Sequence, residues 1–178
     1  MHDLDHISLY IHIPFCETKC PYCDFNTYSH IEPLMDIYIN ALIKEINLWG
    51  NILEKITIKT IFFGGGTPSY LPGKYISDVM RQINESFEMD SQSEITLEAN
   101  PSTAEIELFS EFRAAGVNRL SIGVQSFDDA SLRFIGRNHS AVEARNAITA
   151  AQRQFPHTSF DIIYGRPGQT TEDWRLEL

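Results

Sequence analysis

Cys16, Cys20 and Cys23 are the chain's three cysteines, gathered in the run Pro14-Phe15-Cys16-Glu17-Thr18-Lys19-Cys20-Pro21-Tyr22-Cys23-Asp24-Phe25. Thiolates this close together, with no partner elsewhere in the sequence, suit metal ligation better than a disulfide framework. An odd count also leaves one thiol over from any pairing. Two kinds of centre fit. A structural zinc site is closed by four protein ligands, so a histidine such as His12 or His30 would have to complete it. A cubane iron–sulfur cluster ordinarily takes four cysteines, and with three of them one iron stays open to a small molecule.

The spacing Cys-x3-Cys-x2-Cys, with Tyr22 immediately before the last cysteine, resembles the signature of the radical S-adenosylmethionine (SAM) superfamily. The longer string Tyr10-Ile11-His12-Ile13-Pro14-Phe15-Cys16, continued through Cys20-Pro21-Tyr22-Cys23-Asp24-Phe25-Asn26, is similar to one branch of it. That branch holds the oxygen-independent coproporphyrinogen III oxidases and the haem chaperones of HemW type. The resemblance implies a [4Fe–4S] cluster on Cys16, Cys20 and Cys23, with SAM chelated at the open iron. One electron then splits the sulfonium to methionine and a 5′-deoxyadenosyl radical, while the protein orients the cofactors and excludes water and oxygen. The oxidases carry a fourth cysteine two residues after the third, where this chain has Phe25. The expectation is therefore a haem chaperone that binds the cluster, SAM and haem for delivery to haem-accepting proteins. Oxidase activity is not expected. The alternatives are the oxidase itself, a radical SAM decarboxylase of porphyrin biosynthesis, and a zinc-stabilised structural module.

Residues of this kind need a scaffold. Short apolar, β-branched runs alternate with helical periodicity, which predicts β/α units and a parallel sheet. Strands are predicted at Ser8–Ile13, Ile58–Phe63, Glu94–Glu98, Arg119–Gly123 and Ser159–Ile163. A helix is predicted from about Pro33 to Trp49 on the apolar set Leu34, Ile37, Tyr38, Ala41, Leu42 and Ile46. A second, from about Lys74 to Phe87, carries Ile76, Val79, Met80, Ile83 and Phe87 on one face. Ser102-x-x-Glu105 and Ser140-x-x-Glu143 have the form of capping boxes that open two more helices. A short helix over Asp128 to Ile135 and another opening at Thr170 complete the set. The resemblance implies an α/β fold, a partial (β/α)6 TIM-like barrel truncated to about five β/α units. Residues 1–178 would be the N-terminal part of a radical SAM core domain. A separately encoded C-terminal half is then an expected partner.

In parallel β/α folds the site lies where strands end and loops begin. The cysteine loop follows the first predicted strand and Gly64-Gly65-Gly66-Thr67-Pro68 the second. Glu98-Ala99-Asn100-Pro101 closes the third, Gln125-Ser126-Phe127 follows the fourth, and Asp161 lies near the end of the fifth. The glycine run lets backbone approach a ligand closely, and it lacks the Lys-Ser/Thr ending of a phosphate loop. By resemblance, Gly65, Gly66 and Thr67 meet the methionine end of SAM, and Tyr10, Tyr22 and Glu98 belong to the same site. Gln125, Arg137 and Asp161 match contacts of a second SAM molecule. One departure is Arg166, in Tyr164-Gly165-Arg166-Pro167-Gly168-Gln169, where the family pattern has an apolar residue.

Composition narrows the partners. Fourteen basic against 24 acidic residues give a net charge of -10, which repels a phosphate backbone, so nucleic acid is not an expected partner. No apolar run approaches the ~18 residues of a membrane span. The opening Met1-His2-Asp3-Leu4-Asp5-His6 lacks the charge and apolar core of a signal peptide. With reduced thiols, the expected location is the cytoplasm.

Overall fold

The computed structural model describes residues 6–30, 32–53 and 56–178. Met1 to Asp5, the stretch without signal-peptide character, lie outside the described residues. Strand β1 (His6–Ile13) runs into a two-residue strand β2 (Phe15–Cys16), which pairs in parallel with β3 (Tyr28–Ser29). There follow α1 (Met35–Ile52), β4 (Thr57–Gly65), α2 (Gly73–Ser86), β5 (Glu88–Ala99) and α3 (Thr103–Ala114). The remainder is β6 (Arg119–Gln125), α4 (Asp129–Phe134), α5 (Ala141–Gln154), β7 (His157–Ile162) and α6 (Thr171–Glu177).

The main sheet has five strands in the order β1-β4-β5-β6-β7, all parallel. Parallel neighbours need crossovers, here helical, so every strand delivers its C-terminal end to the same edge. This is the parallel β/α arrangement that the alternation of runs predicts, and the partial TIM-like unit that the resemblance implies. The main surprise is β5, which begins at Glu88, well before the predicted Glu94. Glu88 and Met89 pair with Thr57 and Ile58 ahead of a register shift between Ile58 and Thr60. The polar stretch Asp90-Ser91-Gln92 at that irregularity hides the strand from a search for apolar alternation.

One face of the sheet packs against helices. Ile58, Phe63, Leu97, Leu120, Ile122 and Val124 meet Ile76, Val79, Ile83, Phe109 and Phe112 in a core that excludes water. Each such side chain contributes roughly 1.5–3 kcal/mol by burial. Alternate residues point the other way, and this inner face is polar. Arg119 donates to the Thr96 hydroxyl (3.3 Å) and to the Ser159 hydroxyl (2.9 Å), and Ser121 lies 3.4 Å from Asp161.

The predicted face of α2 is the buried one, but α1 follows its predicted phase only in part. Tyr38, Leu42 and Ile46 pack against the core as predicted, whereas Leu34, Ile37 and Ala41 face outward, Ile37 at 67% exposure, and Met35 and Ile39 are buried instead. The helix carries apolar residues on more than one side, so three- and four-residue steps can be traced along two faces. Pro33 sits in a separate 3-10 turn, Glu32–Leu34, ahead of the helix.

The unusual Arg166 has a structural partner. Its guanidinium meets Glu177 of α6 at 2.5 Å, with the two side chains 7% and 5% exposed. Glu177 also accepts from the Ser126 hydroxyl and the Phe127 N–H. A buried cation with a hydrogen-bonded counter-ion replaces the apolar contact and ties α6 to the loop after β6. No helix among the described residues is long and apolar enough to cross a membrane.

Candidate functional site

The cysteine loop is held by backbone hydrogen bonds from two directions. Within it, the Cys23 N–H donates to the Cys20 carbonyl at 3.0 Å. Across it, the Gly66 N–H donates to the Ile13 carbonyl and the Thr67 N–H to the Phe15 carbonyl, each at 2.7 Å. The glycine loop after β4 is thus lashed alongside the cysteines. Cys16 is buried, Cys20 and Cys23 are half-buried, and all three are free thiols.

These cysteines open onto one cavity of about 150 Å³, which is also lined by Tyr22, Gly66, Thr67, Glu98, Asn100, Gln125, Arg137 and Asp161. Five strand ends therefore contribute to a single space. Two predicted residues do not line it. Tyr10, 59% exposed on β1, hydrogen-bonds His12 Nδ1 at 2.9 Å and stacks at 6.3 Å on Phe62. Gly65 acts from behind, its N–H donating to Glu98 Oε2 at 3.2 Å. It holds φ at +114°, a conformation that strains any residue with a Cβ.

Burial governs the electrostatics. It pushes the Cys16 thiol up, with the Thr67 and Thr27 hydroxyls partly opposing, so a metal that binds there must displace a firmly held proton. Desolvation also pushes the Glu98 carboxyl up, the Gly65 N–H opposing and Asp161 reinforcing. Arg137 supplies the positive charge. Its guanidinium donates to Asn100 Oδ1 (2.6 Å), the Gly123 carbonyl (3.0 Å) and Cys20 Sγ (3.5 Å). Its Nε is buried with no partner among the described residues. Gln125 holds a positive φ of 67°, costly for a non-glycine residue, and its carbonyl is fixed by the Ile163 N–H at 2.9 Å.

The donor set fits an iron–sulfur cluster. Three free thiols face one cavity, and hydroxyl and guanidinium donors reach two of the sulfurs. A zinc ion instead needs ligands that converge on one point. Among the described residues no three His, Cys, Asp or Glu side chains are gathered to hold a single metal ion of any kind, so this arrangement does not by itself separate zinc from iron. His12 is engaged at both ring nitrogens, by Tyr10 and by the Asn26 carbonyl.

Asn100 joins the site, and Glu105 supports it from behind, although the sequence singled out neither as a site residue. Ser102 caps α3 by accepting the Glu105 N–H at 3.3 Å, but the reciprocal half of the predicted capping box is missing. The Glu105 carboxylate turns instead to the Asn100 N–H (2.8 Å) and the Ser69 hydroxyl. The available signal is Glu105 following Glu98-Ala99-Asn100-Pro101 at a strand end, where a turn can bring the acid back. Burial pushes its carboxyl up from 4.5 to about 7.

A raised carboxyl pKa means that protonation favours the folded state. The stability it adds is fully present below about pH 4.5 and is lost as pH rises through about 7. Acidification from about pH 8 to about pH 5 is therefore expected to stabilise the fold through this group, by roughly 3 kcal/mol at most. Thermal melts of Glu105→Gln should show a flatter pH dependence than the parent. An identical slope would remove Glu105 as its source.

The sequence profile of the radical SAM superfamily matches residues 10–176. The haem chaperone HemW of Haemophilus influenzae is 37% identical over 179 residues, covering 97% of this chain and 47% of that protein. HemW of Escherichia coli K12 is 40% identical, covering 94% and 45% respectively. Among solved structures, the Escherichia coli coproporphyrinogen III oxidase HemN, described as a radical SAM enzyme, superposes with a TM-score of 0.87 at 34% identity. That match covers 96% of this chain and 40% of the oxidase. The chain spans about half the length of the curated relatives it matches. A profile match over nearly the whole chain, on a fold that gathers the motif's cysteines at the strand ends, makes this chain a member of the radical SAM superfamily.

Proposed function

We propose that this chain forms the cluster- and SAM-binding part of a haem chaperone, with Cys16, Cys20 and Cys23 holding a [4Fe–4S] cluster. The observation that carries the proposal is the shared cavity, where the thiols meet Thr67, Glu98, Gln125, Arg137 and Asp161. A bound cluster would supply the electron that cleaves the carbon–sulfur bond of SAM. The chain's own residues orient the ligand. Gly66 and Thr67 present a close backbone edge, and Glu98 offers a carboxylate to a hydroxyl or amine. Arg137, on the cavity wall, offers the positive charge of its guanidinium to a ligand carboxylate. Haem is the proposed cargo of the whole protein, delivered to haem-accepting proteins in the cytoplasm.

Likeness to HemN favours the oxidase as a second reading. Phe25 argues against it, since it lines the cavity at 64% exposure where the oxidases have their fourth cysteine. A pair of chimeras separates the two. This chain would replace the matching half of Escherichia coli HemW in one and of HemN in the other. The first is expected to pass haem to an apo-acceptor, and neither to form protoporphyrinogen from coproporphyrinogen III anaerobically. Turnover by the HemN chimera at the parent enzyme's rate would favour the oxidase.

The SAM site has its own test. Loss of the Glu98 carboxylate leaves ligand groups unpaired, at a cost of about 1–3 kcal/mol. Calorimetric titration of the reconstituted protein should show SAM binding weakened about 5- to 150-fold in Glu98→Ala. Equal affinity in variant and parent would place Glu98 outside the site.

A further inference from the structure

We propose that Asn100 is a positioning residue that aims hydrogen-bond donors at two of the three sulfurs and thereby sets the reduction potential of the cluster. The inference rests on the cluster assignment above. Asn100 directly follows β5, and its backbone N–H is clamped by Glu105 Oε2 (2.8 Å) and Ser69 Oγ (3.2 Å). That clamp fixes where its side chain starts.

The amide then has two unlike partners. Its Oδ1 accepts from Arg137 at 2.6 Å, and its Nδ2 lies 3.2 Å from Thr67 Oγ1. A guanidinium can only donate, so the amide oxygen must face Arg137 and the NH2 must face Thr67. Because the Thr67 oxygen accepts from that NH2, its own proton is left for Cys16 Sγ, 3.4 Å away. On the other side, the grip on one Arg137 nitrogen leaves the second directed at Cys20 Sγ, 3.5 Å away. One amide thus orients donors toward sulfurs at two points of the cysteine loop. Donors to cluster sulfurs stabilise the more negative, reduced state and so raise its potential.

The test is an anaerobic potentiometric titration of the reconstituted protein with Ti(III) citrate, followed by electron paramagnetic resonance, with iron content and thermal melting measured alongside. Asn100→Ala and Thr67→Val, both free of charge change, are each expected to lower the midpoint. About tenfold less favourable reduction corresponds to about 59 mV for one electron. Thr67→Ser, which keeps the hydroxyl, is expected to retain the parent potential. In the Thr67→Val background, Asn100→Ala is expected to shift the potential less than it does alone. If Asn100→Ala loses iron or fold, Thr67→Val decides alone. Full iron and an unchanged midpoint in Thr67→Val overturn the proposal and leave the cluster assignment standing. A parent protein that takes up no iron overturns the assignment and the proposal with it.

Discussion

Alanine at Cys16, Cys20 or Cys23 is expected to abolish the iron–sulfur chromophore of the anaerobically reconstituted protein, not merely weaken it. Each thiolate would hold a different iron, and with three ligands there is no spare cysteine to take over. Two-point attachment leaves half the cluster to solvent and oxidants. The fold should survive, because Cys20 and Cys23 are only half-buried and lie outside the core between sheet and helices. The expected result is background iron and sulfide with a parental far-ultraviolet circular dichroism spectrum. Cys16 is the sharper case, since it is buried and its sulfur meets the Thr67 hydroxyl. Full iron content in Cys20→Ala or Cys23→Ala would remove that residue from the ligand set.

Gly66→Ala is expected to disturb the cysteine loop and the SAM-facing edge together. A Cβ at Gly66 would lie 2.6 Å from the Phe15 carbonyl, 2.9 Å from the Ile13 carbonyl and 3.1 Å from Cys16 Sγ. Neither carbonyl can withdraw cheaply, because they accept the Gly66 and Thr67 N–H groups that lash the two loops together. The loops must part, which moves the Cys16 sulfur and the SAM-facing edge at once. Overpacking of this kind costs about 1–3 kcal/mol. The measurements are thermal melting and calorimetric SAM titration. Expected are a lower melting temperature and SAM binding weakened by about tenfold or more, the equivalent of about 1.4 kcal/mol. A variant with parental melting and affinity would show that the loops need not touch.

The parts of the fold that the sequence discloses are those where local pattern and tertiary burial agree. Ile76, Val79, Met80 and Ile83 lie on one face of α2 and, with Phe87 just past its end, are all buried. Ser140 and Glu143 make the capping box their spacing predicts. Legibility fails where a pattern fits two answers. The apolar residues of α1 trace more than one face, and only packing decides that Met35 and Ile39 go inward. Glu105 has the right type and position for a capping box, yet long-range partners at Asn100 and Ser69 win its carboxylate.

The site follows the same division. The cysteines announce themselves by spacing, and the strand-end rule points to Thr67, Glu98, Gln125 and Asp161 around them, whereas Arg137, which follows α4, is marked by resemblance alone. Asn100 carries no chemical signature alone. Its importance comes from the distances to Thr67 and Arg137, residues remote in sequence. Arg166 stands in the sequence as a departure from the family pattern and proves to be half of a buried ion pair, whose partner Glu177 lies on a separate helix.

A [4Fe–4S] cluster with one iron open to SAM is tested by electron paramagnetic resonance of the reduced, reconstituted protein before and after SAM is added. Expected are about four iron and four sulfide per chain, with a signal whose g values change when SAM binds. Stoichiometric zinc without iron uptake, or a cluster signal indifferent to saturating SAM, would contradict that assignment.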